Sequence, residues 1–302
     1  MEPFPHLRQP IALGPLTIPN RIMMTTHGPR LSQPRYLRYI AERARGGVGL
    51  MGFNLGPLGL MQLPLGPGRA DPAGMADLDV VPLHPLTVAG QAYYDGLIPG
   101  YRAWVEAAHE HGAKCIGQLY HPGAAQHTDT FQPIIAPSPV ADPYERHNPH
   151  ALTVEEIGLL VEAYALCAKR AVTAGYDGVE LHAAHGYLPQ QFLSAATNLR
   201  TDAYGGGLDN RMRFLVEVYR AVRDAVGPDY LVGIRLTAPE PFENGLTIDD
   251  LVTVCRRLTA QGLGYVGISG GSYAGMRGPD DLPYVAPAFV PQGPNVPAAA
   301  AI

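Results

Sequence analysis

Short apolar runs alternate with longer stretches of helical periodicity along most of this chain. Residues 11–13 and 16–18 are apolar and flank Gly14-Pro15, the pattern of a small hairpin. Residues 22–24 read as a first barrel strand, and 34–45 as a helix closed by Gly46-Gly47. A second strand is expected at 48–51. Residues 56–98, rich in Gly, Pro and Leu, read as an irregular loop. From Gly100 the alternation is regular. Helix 101–111 stops at Gly112, strand 115–119 follows, and a Pro- and His-rich loop covers 121–150. Thr153-x-x-Glu156 is a capping box that opens a helix ending at Gly175. Strand 178–181, helix 210–226, strand 231–236, a helix over 247–261 opened by Thr247-x-x-Asp250, and strand 265–269 complete the pattern. Strands separated by single helices imply parallel βα units. Six such units are readable, and an α/β TIM-type (β/α)8 barrel is their natural completion. The chain reads as a single domain over 1–302 without repeat or linker. Its stretch after Gly271 turns to loop, with an irregular tail from about 276 to 302.

Composition narrows the partners. The net charge of −5, from 22 basic and 27 acidic residues, argues against nucleic acid or an anionic membrane. No apolar run approaches the about 20 residues of a membrane span. The N-terminus MEPFPHLRQP lacks the charged-then-apolar pattern of a signal peptide. Cys115, Cys167 and Cys255 are too scattered for a disulfide framework, so a reducing, cytoplasmic setting is expected.

The stretch GYDGVELHAAHGYLPQQF carries the densest chemistry. Its apolar strand ends in His182 and His185, three residues apart, with Tyr187 just beyond. Three readings stay open. Two imidazole N–H groups can converge on one carbonyl oxygen and stabilise an oxyanion, with the Tyr187 phenol as proton donor beside it. His-x-x-His can hold zinc if Asp177, Glu180, Cys115 or His121 supplies a third ligand. Or both histidines simply cap a strand. Arg235 interrupts an apolar strand, so its guanidinium either meets an anionic ligand or pairs with a strand carboxylate such as Glu180. Gln118 and the trio Thr25, Thr26 and His27 end strands as well. The Gln118 amide suits either the edge of a planar heterocycle or a satisfied core position. Neither Gly205-Gly206-Gly207 nor Gly267-x-x-Gly270-Gly271 matches a dinucleotide or phosphate loop, and no Gly-x-Ser-x-Gly elbow is present.

Taken in order, these segments resemble the Old Yellow Enzyme family of FMN-binding oxidoreductases. The matching motifs are PNRIMMTTH at 19–27, YIAERARGGVGL at 39–50, IGQLYHPG at 116–123, the histidine segment at 175–214, VGIRLT at 232–237 and ENGLT at 243–247. They are most similar to the branch containing 2,4-dienoyl-CoA reductase and trimethylamine dehydrogenase. The resemblance implies an FMN barrel that uses NADPH or NADH to reduce the C=C bond of small α,β-unsaturated carbonyl compounds. By motif, it implies that Thr25, Thr26, His27, Asn54, Gln118 and Arg235 contact the flavin. It implies that His182 and His185 hold the substrate oxygen, and that Tyr187 is the proton donor.

Departures accompany the likeness. Asn54 stands where the family usually carries Gly or Ala, and the branch histidine after the sixth strand is replaced around Ser272-Tyr273. No cysteine cluster is present, so no iron–sulfur centre is expected in this chain. The family's seventh and eighth strands and their phosphate cup are not legible. The expectation is a truncated barrel, with a barrel piece on another chain or a homo-oligomer as alternatives. A non-catalytic partial barrel is the rival to an ene-reductase, with a zinc-dependent barrel hydrolase behind it.

Overall fold

The computed structural model describes residues 4–29, 31–57, 95–126, 134–143, 146–237, 239–240, 243–271 and 291–302. The strands are β1 (Ile11–Leu13), β2 (Leu16–Ile18), β3 (Met23–Met24), β4 (Leu50–Pro57), β5 (Lys114–Tyr120), β6 (Ile135–Ala136), β7 (His150–Ala151), β8 (Gly178–Ala183), β9 (Leu231–Thr237) and β10 (Tyr265–Ser269). The helices are α1 (Gln33–Arg45), α2 (Ile98–His109), α3 (Val154–Ala174), α4 (Leu188–Leu193), α5 (Leu208–Arg211), α6 (Arg213–Val226), α7 (Ile248–Thr259) and α8 (Val296–Ala301). Strands β1 and β2 form the expected antiparallel hairpin. One six-stranded sheet runs in the order β3-β4-β5-β8-β9-β10. Neighbours in that sheet follow chain order. Of its pairs, β3 lies parallel to β4, and β9 lies parallel to β10 with Gly233 opposite Tyr265 and Arg235 opposite Gly267. Sequential strands joined through helices are the TIM-type α/β arrangement that the alternation predicts.

The chain divides into two compact units. The first comprises Met1–Leu119, Ala163–Glu180 and Val222–Val232. Its core is aromatic: the Trp104 ring lies edge-on to Tyr36 at 5.1 Å and to Tyr101 at 5.4 Å, and Phe53 meets Tyr176 at 6.1 Å. The second comprises Tyr120–Glu162, Leu181–Ala221 and Gly233–Ile302. There Phe192 and Phe214 stack at 4.3 Å and are fully buried. Both capping boxes form. Glu156 N–H donates to Thr153 Oγ1 while Thr153 N–H donates to the Glu156 carboxylate, and Thr247 and Asp250 exchange the same pair.

Several expectations change. Strand β8 runs to Ala183, so His182 lies inside a strand rather than past its end, and all six strand residues are buried. The helix expected over 210–226 divides at Met212 into α5 and α6. Arg211 and Arg213 turn away to donate to Leu193 O and Ala203 O, each at 2.7 Å, while Met212 is buried. The tail expected to be irregular is helical over Val296–Ala301, where Pro297 in the first turn and the alanines that follow favour a helix. Most of the loop expected over 56–98, and Ser272-Tyr273, lie outside the described residues.

Strand packing leaves no room at Gly178. A Cβ there would stand 2.8 Å from Leu231 Cβ and 2.9 Å from Leu231 O. Gly178→Ala is therefore expected to lower unfolding free energy by about 1–3 kcal/mol, read by chemical denaturation. A stability equal to that of the parent would contradict this packing.

Candidate active site

Three of the predicted site residues meet in the second unit. The His182 and His185 rings are 4.9 Å apart and nearly perpendicular, at 86°. Tyr187 lies 4.8 Å from His182 and 6.4 Å from His185, and the Tyr120 ring closes the group 5.6 Å from Tyr187. The local chain explains how close neighbours converge. His182 is carried by β8, and the backbone then turns through two left-handed residues, His185 at φ 62° and Gly186 at φ 79°. Glycine adopts this region freely, whereas histidine does so at a cost of roughly 1–2 kcal/mol. The turn is held from α4. Gly186 N–H donates to Gln190 Oε1 at 2.7 Å, and Gln191 Nε2 donates to Gly186 O at 2.6 Å and to Pro122 O at 3.1 Å. Tyr187 then caps α4, whose second position is Pro189.

Hydrogen bonding sets the polarity of the imidazoles. Ala184 N–H donates to His182 Nδ1 at 3.3 Å, so a neutral ring carries its proton on Nε2. His185 Nε2 is 2.7 Å from Ser269 Oγ at the end of β10. Burial drives the His182 pKa well below its ordinary value, and the neighbouring His185 and Arg235 charges add to this. Burial and the Arg235 charge likewise bring His185 down to about 4. Both rings are therefore neutral at pH 7. The Arg235 guanidinium is buried and lies over Gly267, with its atoms 3.4–3.5 Å from where a Cβ would stand.

The remaining predicted residues lie in the first unit. Gln118 is buried on β5 and donates from Nε2 to Glu180 Oε1 at 2.7 Å, which fixes the plane of its amide. His27 places Nδ1 3.0 Å from Thr25 O in its own turn and Nε2 2.9 Å from Tyr39 OH on α1. Thr26 differs. Its Oγ1 is buried without a hydrogen-bond partner among the described residues and sits against Gly52, whose Cβ would be 2.5 Å away. Asn54 is half-buried on β4. A buried hydroxyl in want of a partner and an oriented amide are the donor set that the polar edge of a flavin would use, so these residues fit FMN.

A zinc centre at His182 and His185 finds no third ligand among the described residues. The group of three potential metal ligands found among the described residues is instead His109, Cys115 and Asp177. Asp177 already accepts from His109 Nε2, Lys114 Nζ and Cys115 N–H. His121 Nδ1 accepts from Gly123 N–H. The sequence reading missed Tyr120 and Ser269. Both are ordinary residues at strand ends, and only the end of a barrel strand as a location could have marked them.

A buried imidazole pair with an adjacent phenol thus stands at and beyond the end of a strand in a TIM-type barrel, where barrel enzymes build their sites. The family model described as NADH:flavin oxidoreductase / NADH oxidase matches residues 87–277. A metal reductase from Desulforamulus reducens is 37% identical over 88% of this chain and 37% of its own length. A multifunctional alkene reductase/demethylase from Caballeronia cordobensis is 33% identical over 85% of this chain and 36% of its own. The structure of morphinone reductase in complex with tetrahydroNAD superposes with a TM-score of 0.69 at 29% identity, covering 87% of this chain and 73% of that one. The chain belongs to the NADH:flavin oxidoreductase / NADH oxidase family. It spans well under half the length of the two curated relatives. No helix among the described residues is long and apolar enough to cross a membrane.

The depressed imidazoles give a pH dependence of known sign. An unfolded histidine titrates near 6.5, whereas folded His185 titrates at about 4 and folded His121 at about 3. Between those values the unfolded chain binds protons that the folded chain does not, so stability is full above pH 6.5 and falls as pH drops towards 4. Histidine NMR should show His121, His182 and His185 still neutral at about pH 5.5. Protonation of His185 near pH 6.5 would contradict the buried, Arg235-facing geometry.

Proposed function

We propose that this chain carries the catalytic face of an FMN-dependent, NADH- or NADPH-using oxidoreductase that reduces the C=C bond of α,β-unsaturated carbonyl compounds. The neutral His182–His185 pair, at 4.9 Å and 86° with Tyr187 alongside, is the observation that carries this reading. The alkene reductase/demethylase and morphinone reductase relatives support it. We also propose that the chain falls on the branch of 2,4-dienoyl-CoA reductase and trimethylamine dehydrogenase, a reading that rests on the sequence motifs.

The chain's own residues have defined tasks. His182 Nε2–H donates to the substrate carbonyl oxygen. His185 does so from Nδ1, which requires Ser269 O–H to donate to Nε2. As negative charge grows on that oxygen the two donors strengthen, each worth about 3–4 kcal/mol in such sites. Neutral imidazoles suit this role because they donate without being drained of a proton. Tyr187 protonates the α-carbon. Thr25, Thr26, His27, Asn54, Gln118 and Arg235 would hold FMN, with the Arg235 cation favouring an anionic reduced ring. When bound, FMN supplies the hydride chemistry, which belongs to the cofactor.

After incubation with FMN and desalting, the protein should keep a flavin absorbance that bleaches under NADH or NADPH and returns on adding a cyclic enone. Tyr187→Phe should slow the enone-driven return by about 10²–10⁴-fold and leave the bleaching unchanged. A protein that stays colourless after FMN incubation sinks the proposal.

A further inference from the structure

The support of the left-handed turn extends to a carboxylate that has no task in the proposed reaction. Glu240 follows β9, on a turn closed where its own N–H donates to Leu246 O at 2.9 Å. Its side chain accepts from Gln190 Nε2 at 2.6 Å, Ser194 Oγ at 2.6 Å and Leu246 N–H at 2.8 Å. The first of these bonds uses Oε1 and the other two use Oε2. Gln190 in turn presents Oε1 to Gly186 N–H.

The bonds form a relay of fixed direction. Gly186 N–H can only donate, an ionised carboxylate can only accept, and a primary amide has one end of each kind. Gln190 therefore satisfies both neighbours in a single orientation. Burial raises the Glu240 pKa, while the Ser194, Leu246 and Gln190 donors oppose that rise. A cavity borders Gly186, Gln190, Gln191 and Glu240, and Ala136 and Val140 line it as well.

We propose that Glu240 is a positioning residue: through Gln190 it fixes Gly186, and with it the left-handed turn that aims His185 and Tyr187. The inference rests on the reading of those rings as the substrate-facing group, but its geometry can be tested without flavin.

Glu240→Gln keeps shape and removes the acceptor. The new amide faces Gln190 Nε2 with a second donor, and turning Gln190 over only moves the donor–donor clash to Gly186 N–H. Adding Gln190→Glu reverses the polarity of the link. The amide introduced at position 240 would then donate to the new carboxylate at position 190, which still accepts from Gly186 N–H. The oxygen of that introduced amide would accept from Ser194 and Leu246.

The measurement is the pair of ¹⁵N imidazole signals of His185 in the protein without substrate or nicotinamide, followed by enone turnover of the FMN-loaded protein. Glu240→Gln should displace the His185 signals and lower turnover by about 10²-fold, the effect of an ångström-scale misplacement. The double exchange should restore both. Ser194→Ala removes a bond to the same carboxylate outside the relay and should leave the signals in place. Unmoved His185 signals in Glu240→Gln, no rescue by the exchange, or an equal displacement in Ser194→Ala would each overturn the proposal. If Glu240→Gln does not fold, Gln190→Leu cuts the relay from its other end, and there too an unmoved signal overturns it. Signals that respond as expected in a protein without enone turnover support the positioning role and refute the ene-reductase reading.

Discussion

The backbone reversal at His185–Gly186 is the constraint on which the convergence of His182, His185 and Tyr187 depends. A strand sends neighbouring side chains to opposite faces, so rings on a continuing β8 would diverge. Two consecutive left-handed residues bend the chain back instead, and His182, His185 and Tyr187 converge within 4.8–6.4 Å. Histidine in that region is strained, and such strain persists only where surrounding bonds over-determine it. Here the bonds are identifiable. Gly186 N–H donates to Gln190, Gly186 O accepts from Gln191, Tyr187 N–H reaches Ala184 O, and Leu188 N–H reaches His121 O.

Burial then decides the electrostatics. In water an imidazole would be partly charged near neutrality. Enclosed beside Arg235, both rings shed the proton and become fixed dipoles whose direction is set by Ala184 N–H and by Ser269. Burial does most of the work of keeping the rings neutral, and the buried guanidinium adds to it. The cation that reinforces this effect of burial would also stabilise an anion placed nearby.

Much of this was legible in the sequence because the informative residues are close together in it. Alternating strands and helices marked the βα units, and His182, His185 and Tyr187 announced themselves as one motif. Strand β8 reads two residues short because His182, polar yet almost fully buried, looks like the strand's end. Helix α4 escaped notice because its six residues are too few for periodicity, and Pro189 reads as a breaker although a first turn accepts it. Ser269 and Glu240 lie more than fifty residues from the motif in sequence and belong to common residue types. Only folding brings them to His185 and Gln190.

That difference has a physical basis. The apolar pattern specifies which faces are buried, and a one-residue error in it would turn a strand inside out. It says nothing about the direction of a hydrogen bond. Direction is set by groups that can only donate or only accept, and by amides that must serve both neighbours at once. In the second unit such groups run from Gly186 through Gln190 to Glu240, and from Gly186 through Gln191 to Pro122. Buried polar networks of this kind add little net stability, yet a wrongly oriented member leaves a donor or acceptor unmet. The hydrophobic core can therefore build the barrel strands without building the site. The amide network selects, among backbones of similar packing energy, the one in which both imidazoles and the phenol converge.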